Sequence, residues 1–159
     1  MRKSYTTTAP LILAVGEKVA DLKEFWHHGP NIDKTYDPRI RENIPIKELE
    51  EFNVVCGKLF EELHLLGMSV LQSIALILNK PEDFFDSWVA KGNSVLRLIH
   101  YPPVTDKTNL LRARAHADIN LITLLVGAEE SGLEVKHKDG SWIPIEAASK
   151  SIVCNIGDM

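Results

Sequence analysis

Arg112-Ala113-Arg114-Ala115-His116-Ala117-Asp118-Ile119-Asn120-Leu121-Ile122-Thr123-Leu124-Leu125 is the stretch on which the reading of this chain turns. It reads as a strand over His116 to Val126, and His116 and Asp118 sit two positions apart within it. Side chains alternate faces along an extended segment, so this imidazole and this carboxylate project the same way and can reach one metal ion. A second histidine would complete a two-His-one-carboxylate set, which suits ferrous iron and leaves one face of the metal open. Ala117 points the other way. A bare His-x-Asp also fits a hydrogen-bonded surface pair, so the surrounding sequence has to decide.

With 159 residues, 45% hydrophobic and 25% charged, the chain has the composition of a soluble globular domain with a substantial core. The net charge of -4, with basic residues scattered among acids, gives no electrostatic footprint for DNA or RNA, so no nucleic-acid partner is expected. Cys56 and Cys154 lie far apart on segments that read as helix and buried strand. That pattern suits free thiols in a reducing compartment, and the expected location is cytoplasmic. The apolar run Ala9 to Gly16 is too short for a signal peptide's usual flanks or for a membrane span, so no membrane association is expected.

Residues 1–45 read as an irregular N-terminal segment around a short element, Val19 to His27, with punctuation at Pro10, Gly16, Gly29-Pro30, Pro38 and Pro45. The remainder, 46–159, reads as a long helix, a short helix and a β domain. From Ile46 to about Asn79, Leu49, Phe52, Cys56, Leu59, Leu63, Leu66 and Val70 recur in steps of three and four, one stripe of an amphipathic helix facing a core. Pro45 is tolerated in its first turn, Glu48, Glu50 and Glu51 favour the positive end of its dipole, and Asn79-Lys80-Pro81 is its expected stop. Such a helix runs roughly 50 Å at 1.5 Å per residue, long enough that Gly67 is a candidate bend. The same spacing fits a coiled coil, but the broad apolar patch Val70 to Leu78 suits packing on a sheet better.

A second helix is expected over Glu82 to Ala90. Strands follow at Val95 to His100, His116 to Val126, Leu133 to Lys138, Trp142 to Glu146 and Ser151 to Ile156, with Asp139-Gly140 as a hairpin turn. Helices followed by consecutive short strands give an α+β class, a sandwich or barrel flanked by helix.

Read together, these segments make the chain resemble the isopenicillin N synthase-like family of Fe(II)- and 2-oxoglutarate-dependent dioxygenases, most closely its bacterial branch. Asp21-Leu22-Lys23-Glu24-Phe25-Trp26 is similar to the family's Asp-x-Lys-Glu stretch, and Ile99-His100-Tyr101-Pro102-Pro103 to its Asn-x-Tyr-Pro-Pro strand end. Arg112 through Leu125 resembles the metal strand, Gly132-Leu133-Glu134-Val135 the Gly-Leu-Gln-Val strand, and Gly140-Ser141-Trp142-Ile143-Pro144 the Gly-x-Trp-x-x-Val strand. Asn155-Ile156-Gly157-Asp158-Met159 resembles the Asn-x-Gly-Asp turn. Order and spacing agree as well as content, from Asp21 to the end.

The resemblance implies an incomplete double-stranded β-helix, or jelly roll, buttressed by the long helix. It implies oxidative decarboxylation of 2-oxoglutarate to succinate, coupled to oxidation of a small organic substrate, with Fe(II) as metal and 2-oxoglutarate as co-substrate. Carried over by position, His116 and Asp118 are the iron ligands and Tyr101 contacts the co-substrate, while no other catalytic side chain is assigned. Ile99 stands where the family has Asn, which removes one polar contact. The family's distal His and its Arg-x-Ser lie downstream of the Asn-x-Gly-Asp turn, so the chain reads as a fragment, truncated at both ends. The alternative is a non-catalytic jelly-roll remnant, a binding or assembly module that self-associates through unfinished sheet edges.

The other histidines lack the context of a ligand. His137 reads as a solvated hairpin tip, His64 lies beside the helix stripe, His27 and His28 fall in the irregular segment, and His100 faces away from Tyr101. Arg112 and Arg114 share the parity of His116 and can pair with a carboxylate or stay solvated. Tyr101 also fits plain packing beside two prolines that end a strand. Asn155, Gly157 and Asp158 read as turn chemistry.

Overall fold

The computed structural model describes residues 21–103, 112–127 and 132–159. Its elements are β1 (Glu24–His28), α1 (Glu50–Ile77), α2 (Asp86–Val89), β2 (Leu96–His100), β3 (Ile122–Val126), β4 (Glu134–Lys136), β5 (Trp142–Pro144) and β6 (Ile152–Ile156). The strands form three antiparallel pairs, β1 with β2, β3 with β6, and β4 with β5. By internal contacts the chain divides into two units, Met1–Phe60 with Lys91–Ala115, and Glu61–Ala90 with His116–Met159.

Helix α1 runs unbroken for 28 residues, helical through Gly67 as well, with Glu50 and Glu51 in its first turn. It starts later than expected because Ile46–Leu49 form a separate turn, the Leu49 amide donating to the Ile46 carbonyl at 3.3 Å, so Pro45 lies outside it. Its stop is where Asn79-Lys80-Pro81 predicts. Asn79 adopts a left-handed φ of 55°, the Lys80 amide returns to the Ala75 carbonyl at 2.9 Å, and the Asn79 amide to that of Leu76 at 3.0 Å. These bonds satisfy carbonyls that would otherwise be orphaned at a helix end, and Pro81 prevents continuation.

The covered line on α1 differs from the expected stripe. Leu59 and Leu66 are exposed, whereas Cys56, Leu71 and Ala75 are buried and Phe60, Leu63 and Gly67 are partly covered. Small residues lie on this line, and counting large apolar side chains overlooks them.

In the first unit, β1 and β2 pair Glu24 with His100, Trp26 with Leu98 and His28 with Leu96. The Trp26 ring meets Phe52 edge-on at 6.1 Å, and His28 packs beside Phe60 at 6.5 Å and close to the backbone of Gly57. On the opposite face Arg97 lies 4.9 Å over the Phe25 ring and donates through Nε to His27 Nε2 at 2.8 Å. Asn43 ties down the chain after β1, its carboxamide accepting from the Gly29 amide at 2.7 Å and donating to the Gly29 carbonyl at 3.0 Å. The short element expected over Val19 to His27 is therefore, in its described part, a paired strand.

In the second unit, β6 passes the β4–β5 hairpin to pair with β3, matching Ile122 with Ile156, Thr123 with Asn155 and Leu124 with Cys154. The methyls of Ile122 and Leu124 come within 3.8 Å of where a Gly67 Cβ would stand. Cys154, expected to be buried, is exposed, since β6 has a neighbour on one side alone among the described residues. The β4–β5 turn carries Gly140 at φ 91°, with its amide donating to the His137 carbonyl at 3.0 Å, as Asp139-Gly140 predicts. The second helix shortens to Asp86–Val89 because successive three-residue turns, Phe84 to Pro81 and Asp86 to Asp83, occupy the start of the expected span. The strand expected from His116 begins only at Ile122, for a reason that belongs to the site.

Two outcomes follow for stability. Asn79→Val should lower it by about 1–2 kcal/mol in urea unfolding, because a β-branched residue is strained in the left-handed region, while Asn79→Gly should leave it unchanged or slightly raised. His28 is 3% exposed, and burial pushes its pKa below the ordinary histidine value of 6.5. Below that value the unfolded chain takes up a proton that the folded chain resists, so the stability contributed above pH 6.5 is lost as pH falls through the folded pKa. Unfolding of the wild type should ease between pH 7.5 and 5.5 more than that of His28→Gln.

Candidate metal centre

His116 and Asp118 come together in the second unit, Nε2 of the imidazole standing 3.5 Å from Oδ1 of the carboxylate. The His116 side chain is 55% exposed and that of Asp118 27%, so the pair is open to solvent on the histidine side. An imidazole nitrogen and a carboxylate oxygen are donor types that a ferrous site uses, and here they face each other across a short gap. The residues present thus fit part of an iron site. Among the described residues no group of three or more His, Cys, Asp or Glu is placed to hold a metal.

Neither residue lies in a ladder. Residues 118–121 are clasped by the chain end: the Asp158 amide donates to the Asp118 carbonyl at 2.9 Å, the Gly157 amide to that of Leu121 at 3.0 Å, and the Met159 amide to that of Asn120 at 3.3 Å. The backbone bends at Ile119 and Asn120, and regular pairing resumes at Ile122. Gly157 makes the clasp possible through its lack of a side chain. A Cβ there would stand 2.7 Å from the Asp118 carbonyl oxygen and closer still to the backbone and side-chain oxygens of Asn120.

The bend brings up residues that the sequence reading passed over. Asp118 Oδ2 accepts from the Thr123 hydroxyl at 2.6 Å and from Asn155 Nδ2 at 3.0 Å, and Thr123 Oγ1 accepts from Asn120 Nδ2 at 2.9 Å. In an uninterrupted strand positions 118 and 123 face opposite ways, so alternation excludes this contact. Asn120, a residue that favours turns, was the available sign that the alternation breaks.

Tyr101 follows β2 in the first unit at the head of Pro102-Pro103 and is 37% exposed. Arg112 and Arg114 also belong to the first unit, and Ile99 pairs with Phe25 there. The remaining histidines have other occupations. His27 accepts from Arg97, and burial followed by that guanidinium's charge lowers its pKa. His100 faces Glu24 at 3.2 Å, and His137 stands 3.1 Å from Asp139 at the exposed hairpin tip. The Ser141 hydroxyl and amide hold the Asp139 carboxyl below its usual range, so that acid is engaged by its own turn. A concavity of about 440 Å³ lined by Ile32, Tyr36, Ile40 and Arg41 contains none of the expected site residues.

Residues 92–159 match the family model of the 2OG-Fe(II) oxygenase superfamily. Over 91% of its length the chain is similar in structure to a Caulobacter crescentus protein assigned to the 2OG-Fe(II) oxygenase family, with 45% identity and a TM-score of 0.80, spanning 48% of that chain. It is also similar to Neurospora crassa T7H, crystallised with alpha-KG, at 29% identity and a TM-score of 0.77 over 89% of this chain and 44% of that one. In sequence it is 31% identical over 146 residues to the 2-oxoglutarate-Fe(II) type oxidoreductase ppzD of Metarhizium rileyi, covering 88% of this chain. The chain spans 40 to 47% of the length of such curated relatives. The family match and the relatives support the 2OG-Fe(II) oxygenase superfamily, whose fold neighbours imply a double-stranded β-helix and whose members imply Fe(II) and 2-oxoglutarate.

Gly157→Ala should destabilise the chain by about 1–3 kcal/mol in urea unfolding, because the clasp has no room for a methyl group. Gly127→Ala, where among the described residues no atom beyond the chain neighbours lies within 4 Å of the new Cβ, is the control and should shift stability by less than about 0.5 kcal/mol.

Proposed function

We propose that this chain is part of an Fe(II)- and 2-oxoglutarate-dependent oxygenase that oxidises a small organic substrate, with His116 and Asp118 as two of its iron ligands. The observation that carries the reading is the convergence of that imidazole and carboxylate at 3.5 Å within the stretch that matches the superfamily. Iron, when bound, supplies the activation of dioxygen coupled to decarboxylation of 2-oxoglutarate to succinate. His116 donates a neutral nitrogen and Asp118 an anionic oxygen, so the pair offsets part of the metal's charge and leaves positions for co-substrate. Tyr101 contacts the co-substrate, and Ile99 gives that neighbourhood an apolar side chain where relatives of this type carry an amide. The distal His and Arg-x-Ser that the resemblance places beyond the Asn-x-Gly-Asp turn complete the ligand set and anchor the far carboxylate in the whole protein.

The isopenicillin N synthase-like, bacterial assignment is supported by the ordered motifs from Asp21 to Met159 and by the higher identity to the Caulobacter protein, 45%, than to the fungal T7H, 29%. The free thiols Cys56 and Cys154 favour a cytoplasmic setting, and among the described residues no helix is long and apolar enough to cross a membrane. One observation favours self-association as a second reading: the described sheets have two strands each, and Val126, Ile152 and Ile156 on the β3–β6 pair are exposed.

Anaerobic addition of Fe(II) and 2-oxoglutarate to the chain should produce a metal-to-ligand absorption band in the visible that His116→Ala abolishes. A wild-type spectrum indistinguishable from that of His116→Ala would rule out an assembled metal site in this chain, and association at equal strength in both, by sedimentation, would favour the assembly module.

A further inference from the structure

Resting on the assignment of His116 and Asp118 as iron ligands, we propose that Thr123 and Asn155 are positioning residues for the Asp118 carboxylate, so that the pairing of β6 with β3 assembles the metal site. A carboxylate that ligates through one oxygen is free to rotate unless its other oxygen is held. Here Oδ2 receives two hydrogen bonds, from the Thr123 hydroxyl at 2.6 Å and from Asn155 Nδ2 at 3.0 Å, and Oδ1 is left turned toward His116.

Both donors are themselves oriented. A hydroxyl has one hydrogen to donate and can accept as well, and since Asn120 Nδ2 can only donate to Thr123 Oγ1, at 2.9 Å, the hydroxyl hydrogen is available to Asp118. Asn155 Nδ2 also donates to the Ile156 carbonyl at 3.3 Å, an acceptor that selects the amide nitrogen over the oxygen on this side. Thr123 and Asn155 are direct cross-strand partners, so a single register places both donors. A slip of β6 by one residue would put Asn155 on the face opposite Thr123. The Asn-x-Gly-Asp turn thus acts on the ligand three times: through the Asn155 side chain, through the space left by Gly157, and through the Asp158 amide on the Asp118 carbonyl.

The test is anaerobic Co(II) binding by the 159-residue chain, read by calorimetry and by the visible absorption of the bound ion. It compares wild type, His116→Ala, Thr123→Val, Thr123→Ser and Asn155→Leu, with folding checked by far-UV circular dichroism. Loss of a partner that orients a ligand typically costs 10- to 100-fold in metal affinity, so Thr123→Val and Asn155→Leu should each bind Co(II) about 10-fold more weakly with an altered band. Thr123→Ser, which keeps the hydroxyl, should bind like wild type. The double variant should lose less than the product of the two losses, because both act on one oxygen. Should Asn155→Leu fail to fold, the Thr123→Val and Thr123→Ser pair decides. Wild-type affinity and band in Thr123→Val, with binding abolished in His116→Ala, would overturn the positioning role and leave the ligands standing. Wild-type binding no tighter than that of His116→Ala would overturn the ligand assignment and the proposal with it.

Discussion

The second oxygen of the Asp118 carboxylate, held between Thr123 and Asn155, is the point on which the site depends. A carboxylate near the surface has little reason to keep one orientation, and a metal site needs it to keep one. The two donors stand opposite each other on β3 and β6, so the register that pairs the strands also sets the direction of the carboxylate. The imidazole faces the remaining oxygen at 3.5 Å.

That arrangement is affordable because the backbone beneath it is closely clasped. Amides of residues 157–159 bond carbonyls of residues 118–121, and the missing side chain of Gly157 lets the two segments approach. Burial in the wider chain follows the same logic. Within the first unit Gly57 lets His28 come close to the helix backbone, and within the second Gly67 does the same for Ile122 and Leu124. Large apolar side chains such as Leu59 and Leu66 stay exposed.

Several elements were legible in advance because local chemistry decides them. Asn79-Lys80-Pro81 ends a helix through one left-handed residue and a missing amide hydrogen, and Asp139-Gly140 turns a hairpin through another positive φ. The bend at Ile119 and Asn120 was not legible, since its cause lies at the far end of the chain in residues 157–159. Extending the strand back to His116 put its imidazole and the Asp118 carboxylate on one face by alternation, whereas a bent backbone brings them together, and the same alternation hid Thr123.

Residue types and their short-range order dictate which atoms are available: one imidazole and one carboxylate two positions apart, an amide and a glycine in the closing turn, and caps that stop the helix. Which of these atoms meet is a matter of long-range pairing. Asn155 lies 37 residues from Asp118, and only the β3–β6 register brings its amide within 3.0 Å. Contacts of that separation depend on where the backbone bends and which strand lies alongside, and no periodicity within a single segment encodes either.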